Sequence, residues 1–469
     1  MTHALRLCLL WLLALPVLAQ SPALELDEVL ASSIRYFPLV LAAVERTQAQ
    51  AGKLLASEGA FDLQLENTTY TRTLGFYDGK TVDSKLVKPL AAFNGKVYGG
   101  YRISDGEFPV YEDELFTHGG GEVRLGAVFS LLRDRDIDER RFALRDNSLA
   151  LAQTELEARL TQIKVQHQAT QAYLGWLASG KALEIYRGLL TLAEARQTGL
   201  EQRVADGDLA RVYLNENRQY ILKRSSAVAE AERLLANSAN RLALYVRDTN
   251  GKPHIAQVTE LPDQWPELGH VNAADIDVSI AATLNDRPEI DLVAADIERE
   301  RNRLALGNNA LKTRVDLNLE ASRDIGGGSI TRDETDAIIR LDITVPLERR
   351  TGRGKVAEAR ANLNRLELER QLLNEQIEVE VRNIANDISA AERFLSLAGQ
   401  EVEQAEILEE AERIRFEDGA SDFFVVNLRE EAAADARVRR IEAQAGLLQA
   451  LTNFYAATVQ LNRFQISGF

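Results

Sequence analysis

The chain contains one structural plan twice, and that repeat limits what it can fold into. Leu26 and Asp27 lead to Phe37, Pro38, Leu39 and Val40; Ile276 and Asp277 lead to Arg287, Pro288, Glu289 and Ile290 in the same register. Further on, the run Phe61, Asp62, Leu63, Gln64, Leu65, Glu66 is echoed by Val315, Asp316, Leu317, Asn318, Leu319, Glu320. Arg124 and Leu125 through Phe129, Ser130 and Leu131 are matched by Arg340 and Leu341 through Val345, Pro346 and Leu347. Last, Arg203, Val204, Ala205, Asp206, Gly207 returns as Arg415, Phe416, Glu417, Asp418, Gly419. Each half, 20–246 and 273–469, therefore reads helix, strand, strand, long helix, Asp-Gly turn, second helix. Between them, 247–272 holds Gly251, Pro253, Pro262 and Pro266 without a helical period, the composition of a connector.

Strands are expected at about 61–75, 121–131, 313–324 and 336–346. Ile339, Leu341, Ile343 and Val345 alternate with Arg340, Asp342 and Thr344. One apolar and one charged face is what a strand between lipid and a watery lumen needs, although a half-buried sheet in a soluble domain has the same period. Four strands cannot close a barrel alone; four from each of three copies make twelve. The stretch 76–121 has no counterpart in the second half. It is rich in Gly and Tyr (Tyr98, Gly99, Gly100, Tyr101) and reads as a short strand pair or a large external loop.

From Leu131 to Arg203 and from Leu347 to Arg415 there is no proline, so each helix can reach roughly 100 Å. Leu373, Ile377, Val381, Ile384, Ile388, Ala391, Leu395 and Ala398 step by three and four, a coiled-coil seam. Phe424, Leu428, Ile441, Leu448, Leu451 and Tyr455 continue the theme in the returning helix. Gly207 and Gly419 supply the backbone freedom for the reversal, with Asp206 and Asp418 expected to cap the helix that follows.

Residues 1–19 read as a secretory signal: basic Arg6, an apolar run from Leu7 to Leu18, then small Ala19. The single cysteine, Cys8, falls inside it, which suits an oxidising compartment. After it no run of about 18 apolar residues exists, so a membrane could be crossed only by a closed β-barrel. The formal net charge of −16 argues against a nucleic-acid partner.

The residues do not read as an enzyme, and neither cofactor nor metal is expected. His3, His118, His167, His254 and His270 are not at metal-ligand spacing or beside a nucleophile. Gly326, Gly327 and Gly328 lie between two strands and read as a hairpin loop at the outer end of a barrel. Paired carboxylates such as Glu409 and Glu410, or Glu430 and Glu431, sit on Arg-rich helices as solvated faces.

In this order the repeats, strand pairs, Val345-Pro346-Leu347 junction and Gly207 and Gly419 turns resemble the TolC-like outer-membrane efflux proteins over essentially the whole mature length. The resemblance implies a mainly α fold with a small β part: a long antiparallel helical coiled-coil barrel, and a transmembrane β-barrel completed by trimerisation. It implies a homotrimer in the outer membrane with twelve strands and a twelve-helix periplasmic tunnel, a passive conduit for efflux or type I secretion. Its partners would be a periplasmic adaptor protein, an inner-membrane pump and outer-membrane lipid. Arg203, Asp206, Gly207, Arg415, Asp418 and Gly419 would form the helix-turn tips that meet the adaptor, and Ile339, Leu341, Ile343 and Val345 would face lipid.

Two departures from the family pattern stand out. Ser130 occupies the place of Pro346, so that junction is expected to bend differently. The positions at which relatives narrow the tunnel with aspartates are Val425 and Leu428 here; Asp422 and Glu430 are the carboxylates nearby. Two other readings compete: a soluble periplasmic coiled-coil scaffold, whose strands would lack a continuous lipid-facing band, and an exported hydrolase, which would need a compact catalytic constellation.

Overall fold

The structure is a computed structural model and describes residues 23–92, 94–248, 250–271 and 276–460. The expected signal, with Cys8, lies outside the described residues. Proline sets the first break in each half. Helix α1 (Leu26–Tyr36) stops because Phe37, at φ −72° and ψ 124°, takes the extended conformation forced on a residue before proline. Helix α2 (Pro38–Glu58) then begins with Pro38 in its first turn, where a missing amide costs nothing. The second half repeats this with α5 (Ile276–Asp286), Arg287 and α6 (Pro288–Ala310).

Six strands follow one another in a single antiparallel sheet: β1 (Gln64–Thr71), β2 (Lys80–Pro89), β3 (Lys96–Asp105), β4 (Glu122–Ser130), β5 (Arg314–Asp324) and β6 (Thr335–Thr344). Of the two readings of the stretch 76–121, the strand pair is the one found: it is a full hairpin, β2–β3, lying between the two strands that the repeat predicts and raising their four to six. The sequence left the choice between strand pair and loop open because Ser84, Gly99 and Gly100 dilute the alternation. Phe61 is not in a strand, since Gly59–Phe61 closes α2 with a 3-10 turn.

From the sheet run the long helices α3 (Glu139–Ala205) and α7 (Arg350–Glu417), of 67 and 68 residues. Both begin later than expected. Before α3 the chain turns at Asp134 (φ 67°), and the Asp138 carboxylate caps the helix by accepting from the Arg141 amide at 2.8 Å. Before α7 it turns at Arg349 (φ 52°). The junctions do bend differently: the Ser130 hydroxyl donates to Asp316 at 2.8 Å and the ladder runs on through Leu131, whereas Pro346 has no amide to offer.

Helices α4 (Val212–Leu242) and α8 (Phe423–Ala457) return antiparallel to α3 and α7. Each long helix thus carries two partners in succession: α2 then α4 along α3, α6 then α8 along α7. The Phe37 ring stacks on Tyr245 just past α4, and the Arg287 guanidinium donates to the Ala457 carbonyl at the end of α8. The proline kinks therefore seat the ends of the returning helices.

The core lies at that level. Tyr173, Trp176 and Leu177 of α3 are fully buried and belong to one cluster with Ile377, Val381 and Ile388 of α7, Leu30 of α1 and Phe454 of α8. Burial of one such side chain contributes about 1.5–3 kcal/mol. The expected seam from Leu373 to Ala398 is buried or half-buried throughout. The connector is a strap over this core rather than a free linker: Leu261 rests where Gly180 of α3 has no side chain, and the Tyr455 hydroxyl donates to the Leu268 carbonyl.

Candidate functional site: the sheet wall and the helical tip

Strand register fixes which side chains share a face. Leu341 pairs with Leu317 and Leu317 with Phe129, while Ile339 pairs with Leu319, Leu319 with Ala127, and Ala127 with Val97. The inserted hairpin continues the same face through Gly99 to Leu86 and on to Leu65 of β1. Apolar side chains on this face occur on all six strands; Leu65, Val82, Val97, Leu125 and Ile339 are exposed, while Leu319 on β5 is half-buried. A soluble domain does not leave so wide an apolar face to water.

The opposite face is charged and cross-linked. Arg102 and Glu122 pair at 2.6 Å between β3 and β4, and Asn318 donates to Asp342 at 2.6 Å between β5 and β6. Two contacts reach over a strand through a glycine. Arg124 on β4 stands opposite Gly100 on β3, and its guanidinium crosses there to pair with Asp83 on β2. Tyr98 on β3 stands opposite Gly126 on β4, and its hydroxyl crosses there to donate to Glu320 on β5. A Cβ on Gly126 would run into the Tyr98 ring, and one on Gly100 would lie 2.9 Å from Lys85 Cγ. At the loop end, buried His118 bridges the β3–β4 and β5–β6 loops, with its Nε2 3.0 Å from the Ser329 carbonyl, so this histidine is structural.

At the far end, both helix reversals use one device. Gly207 (φ 83°) and Gly419 (φ 74°) adopt the left-handed conformation that favours glycine. The amides of Asp208 and Ala420 donate to the carbonyls of Arg203 and Arg415 at 2.9 and 2.8 Å, closing the same C-terminal motif twice. Asp206 and Asp418 therefore terminate the preceding helices and do not cap the following ones. The cap of α8 is Asp422, which accepts from the Phe424 amide at 3.1 Å. Arg203, Asp206, Gly207, Arg415, Asp418 and Gly419 are all exposed. Arg203 also lies over the Phe416 ring, which brings the two tips into contact.

Behind the tips is a buried polar cluster. Glu430 of α8, 2 % exposed, accepts from Arg224 of α4 at 2.7 Å and from Arg196 of α3. Asn427 accepts from both arginines at 3.1 Å. Burial, and then the like charge of Arg224, pull Arg196 down to about 10. Phe423 packs below, with Arg196 over its ring and Tyr213, Tyr220 and Phe416 against it. Glu430 is thus a lock between the two helical hairpins and not a solvated carboxylate. Phe424 and Leu428, expected on the packed seam, are exposed instead, because Phe423, Val426, Asn427 and Glu430 occupy it. Val425 is half-buried.

No family model and no curated protein matches the chain. Solved structures do. A membrane protein from Pseudomonas aeruginosa superposes with a TM-score of 0.65 at 13% identity, covering 94% of this chain and 94% of that one. The open state of the MtrE outer membrane channel of Neisseria gonorrhoeae gives 0.64 at 13% identity, covering 92% and 88%. The outer membrane protein VceC of Vibrio cholerae gives 0.62 at 15% identity, covering 92% and 96%. The chain has the TolC-like outer-membrane channel fold.

Within the TolC-like fold, the wall clamps and the buried lock are the residues that sequence reading passed over. A signal for the lock was present. Glu430 stands three or four residues from Val426, Asn427, Ala433 and Ala434 and two turns from Phe423, all buried, so a carboxylate there must find cations. Arg224 stands likewise between buried Asn217 and Val228. No such signal marked Tyr98 or Gly126, because their relation arises only once β3, β4 and β5 are in register.

Proposed function

We propose that three copies of this chain form a passive outer-membrane channel whose helical tunnel extends into the periplasm, serving a tripartite efflux or type I secretion system. The observation that carries this reading is an apolar face that reaches all six strands, along the row Leu65, Leu86, Gly99, Leu125, Ala321 and Ala337, opposite an ion-paired face. Such a sheet suits lipid on one side and a watery lumen on the other. It disfavours the soluble scaffold, whose strands need no such band. Ile339, Leu341, Ile343 and Val345 then face lipid.

The role is passage rather than chemistry. The exposed tip residues around Gly207 and Gly419 are the surface offered to a periplasmic adaptor, and an inner-membrane pump supplies the energy. The described helices contain none long and apolar enough to cross a membrane. If the lumen narrows at the tip, exposed Leu428 and half-buried Val425 line the constriction, with the Asp422 carboxylate engaged in its cap.

Single-channel recording in planar bilayers tests the reading, using protein extracted by detergent from outer membranes and sized for a trimer. Discrete conductance steps are expected. A water-soluble monomer without conductance would return the chain to the scaffold reading.

A further inference from the structure

The β2–β3 hairpin bears on the size of the pore. It has no counterpart in the second half, yet it is part of the wall. All ten residues of β2 pair with β3, and β3 pairs with β4 from Lys96 to Arg102. Its loop-end and helix-end residues lie level with those of β4 and β5. Val82, Leu86, Val97 and Tyr101 extend the apolar face. The Arg124–Asp83 and Tyr98–Glu320 clamps stitch the hairpin to β4 and β5 over two glycines placed for that purpose.

The edges of the sheet are unpartnered. All ten residues of β6 are exposed, as is β1 apart from half-buried Tyr70. The two edges run in opposite directions, because six strands return the wall to its starting sense. Neither β1 nor β6 contains the proline or lysine with which isolated edges are blunted. A second copy of this chain fits each edge, and a ring of copies leaves none.

We infer that three copies close a wall of eighteen strands, β1 of each pairing antiparallel with β6 of the next. The inserted hairpin makes the outer pore about half again as wide as twelve strands would, since barrel diameter grows roughly linearly with strand number. A pore of that width admits cargo of about twice the cross-section. The inference rests on the membrane-channel reading above.

Spin-label distances in the detergent-extracted full chain test it. With Leu125→Cys at mid-β4, equivalent Cα positions in a trimer stand about 30 Å apart for eighteen strands and about 20 Å for twelve, from the strand spacing and tilt of barrels. A second readout pairs Thr68→Cys on β1 in turn with Ile338→Cys, Arg340→Cys and Asp342→Cys on the matching face of β6. At least one pair is expected to give disulfide-linked trimers on oxidation. A trimer at about 20 Å would mean that the hairpin leaves the wall, overturning the eighteen-strand ring while the channel stands. Monomers throughout the cysteine pairs in a membrane-extracted protein would overturn the edge pairing. Protein found only in the soluble fraction would overturn the channel reading itself, and this inference with it.

Discussion

Arg224 Nη2 lies 2.7 Å from Glu430 Oε2, and both side chains are almost wholly buried where α4 meets α8. The carboxylate is shared with Arg196 of α3, so a single acidic residue of the second repeat holds two basic residues of the first. Within the cluster the charge balance is one against two, and Asn427 and the Leu189 carbonyl supply further acceptors.

Removing the one anion should therefore cost far more than removing the whole cluster. Glu430→Gln leaves two buried cations facing each other, an uncompensated burial that costs about 3–5 kcal/mol. Replacing all three, with Arg196→Met, Arg224→Met and Glu430→Leu, should restore most of that stability, because the desolvation cost disappears with the charges. Thermal melts of the three proteins, with limited proteolysis near residue 210 to report the tip, would check the order. A single variant as stable as the parent would show that the lock carries no weight.

The cluster also shows where sequence reading stops. Proline positions, the heptad seam of α7 and the two glycine turns are local features, and each is found where its residues place it. The Phe37-Pro38 and Arg287-Pro288 pairs even mark the level of the core. Two kinds of feature were not legible. Strands β2 and β3 lack clean alternation, since Ser84 and Gly99 occupy positions on the apolar face and Gly100 one on the charged face. Phe424 and Leu428 continue a spacing pattern that Phe423 and Asn427 in fact satisfy, one residue out of phase. Which face of a helix is buried depends on its partners, and four helices converge at this tip.

The glycine clamps of the sheet predict a steric effect of definite sign. A methyl group at Gly126 has no room while the Tyr98 ring lies over it. Gly126→Ala should displace Tyr98, break its hydrogen bond to Glu320 and destabilise the sheet by about 1–3 kcal/mol. The double variant with Tyr98→Ala opens the space and should recover part of the loss. Melting temperatures of the detergent-solubilised proteins would show this, and additive losses would mean that the two residues do not interact.

At the tip, Gly419 has open space around its Cα, so a substitution there acts through the backbone alone. Gly419→Val forces a branched residue to φ 74°, a left-handed conformation that costs roughly 1–2 kcal/mol. The turn should shift to relieve the strain while the sheet and the mid-level core remain intact. The expected outcome is normal amounts of assembled protein in the outer membrane with reduced export. Unchanged export would remove the tip from the functional account.

The orientation of the wall can be reversed or upheld by one charge. Register places Leu341 on the face of Leu317 and Phe129, and Asp342 on the face of Asn318. If the first face meets lipid, Leu341→Arg carries a cation to mid-bilayer at a cost of about 2–4 kcal/mol. Asp342→Asn, on the lumen face, meets water either way and should cost little. The ratio of heat-resistant membrane-inserted protein between these variants reads the difference directly. Efficient insertion of the arginine variant, with failure of a leucine placed at Asp342, would require the faces to be exchanged. The ion pairs of Arg102 and Arg124 would then have to lie on the hydrocarbon side of the wall.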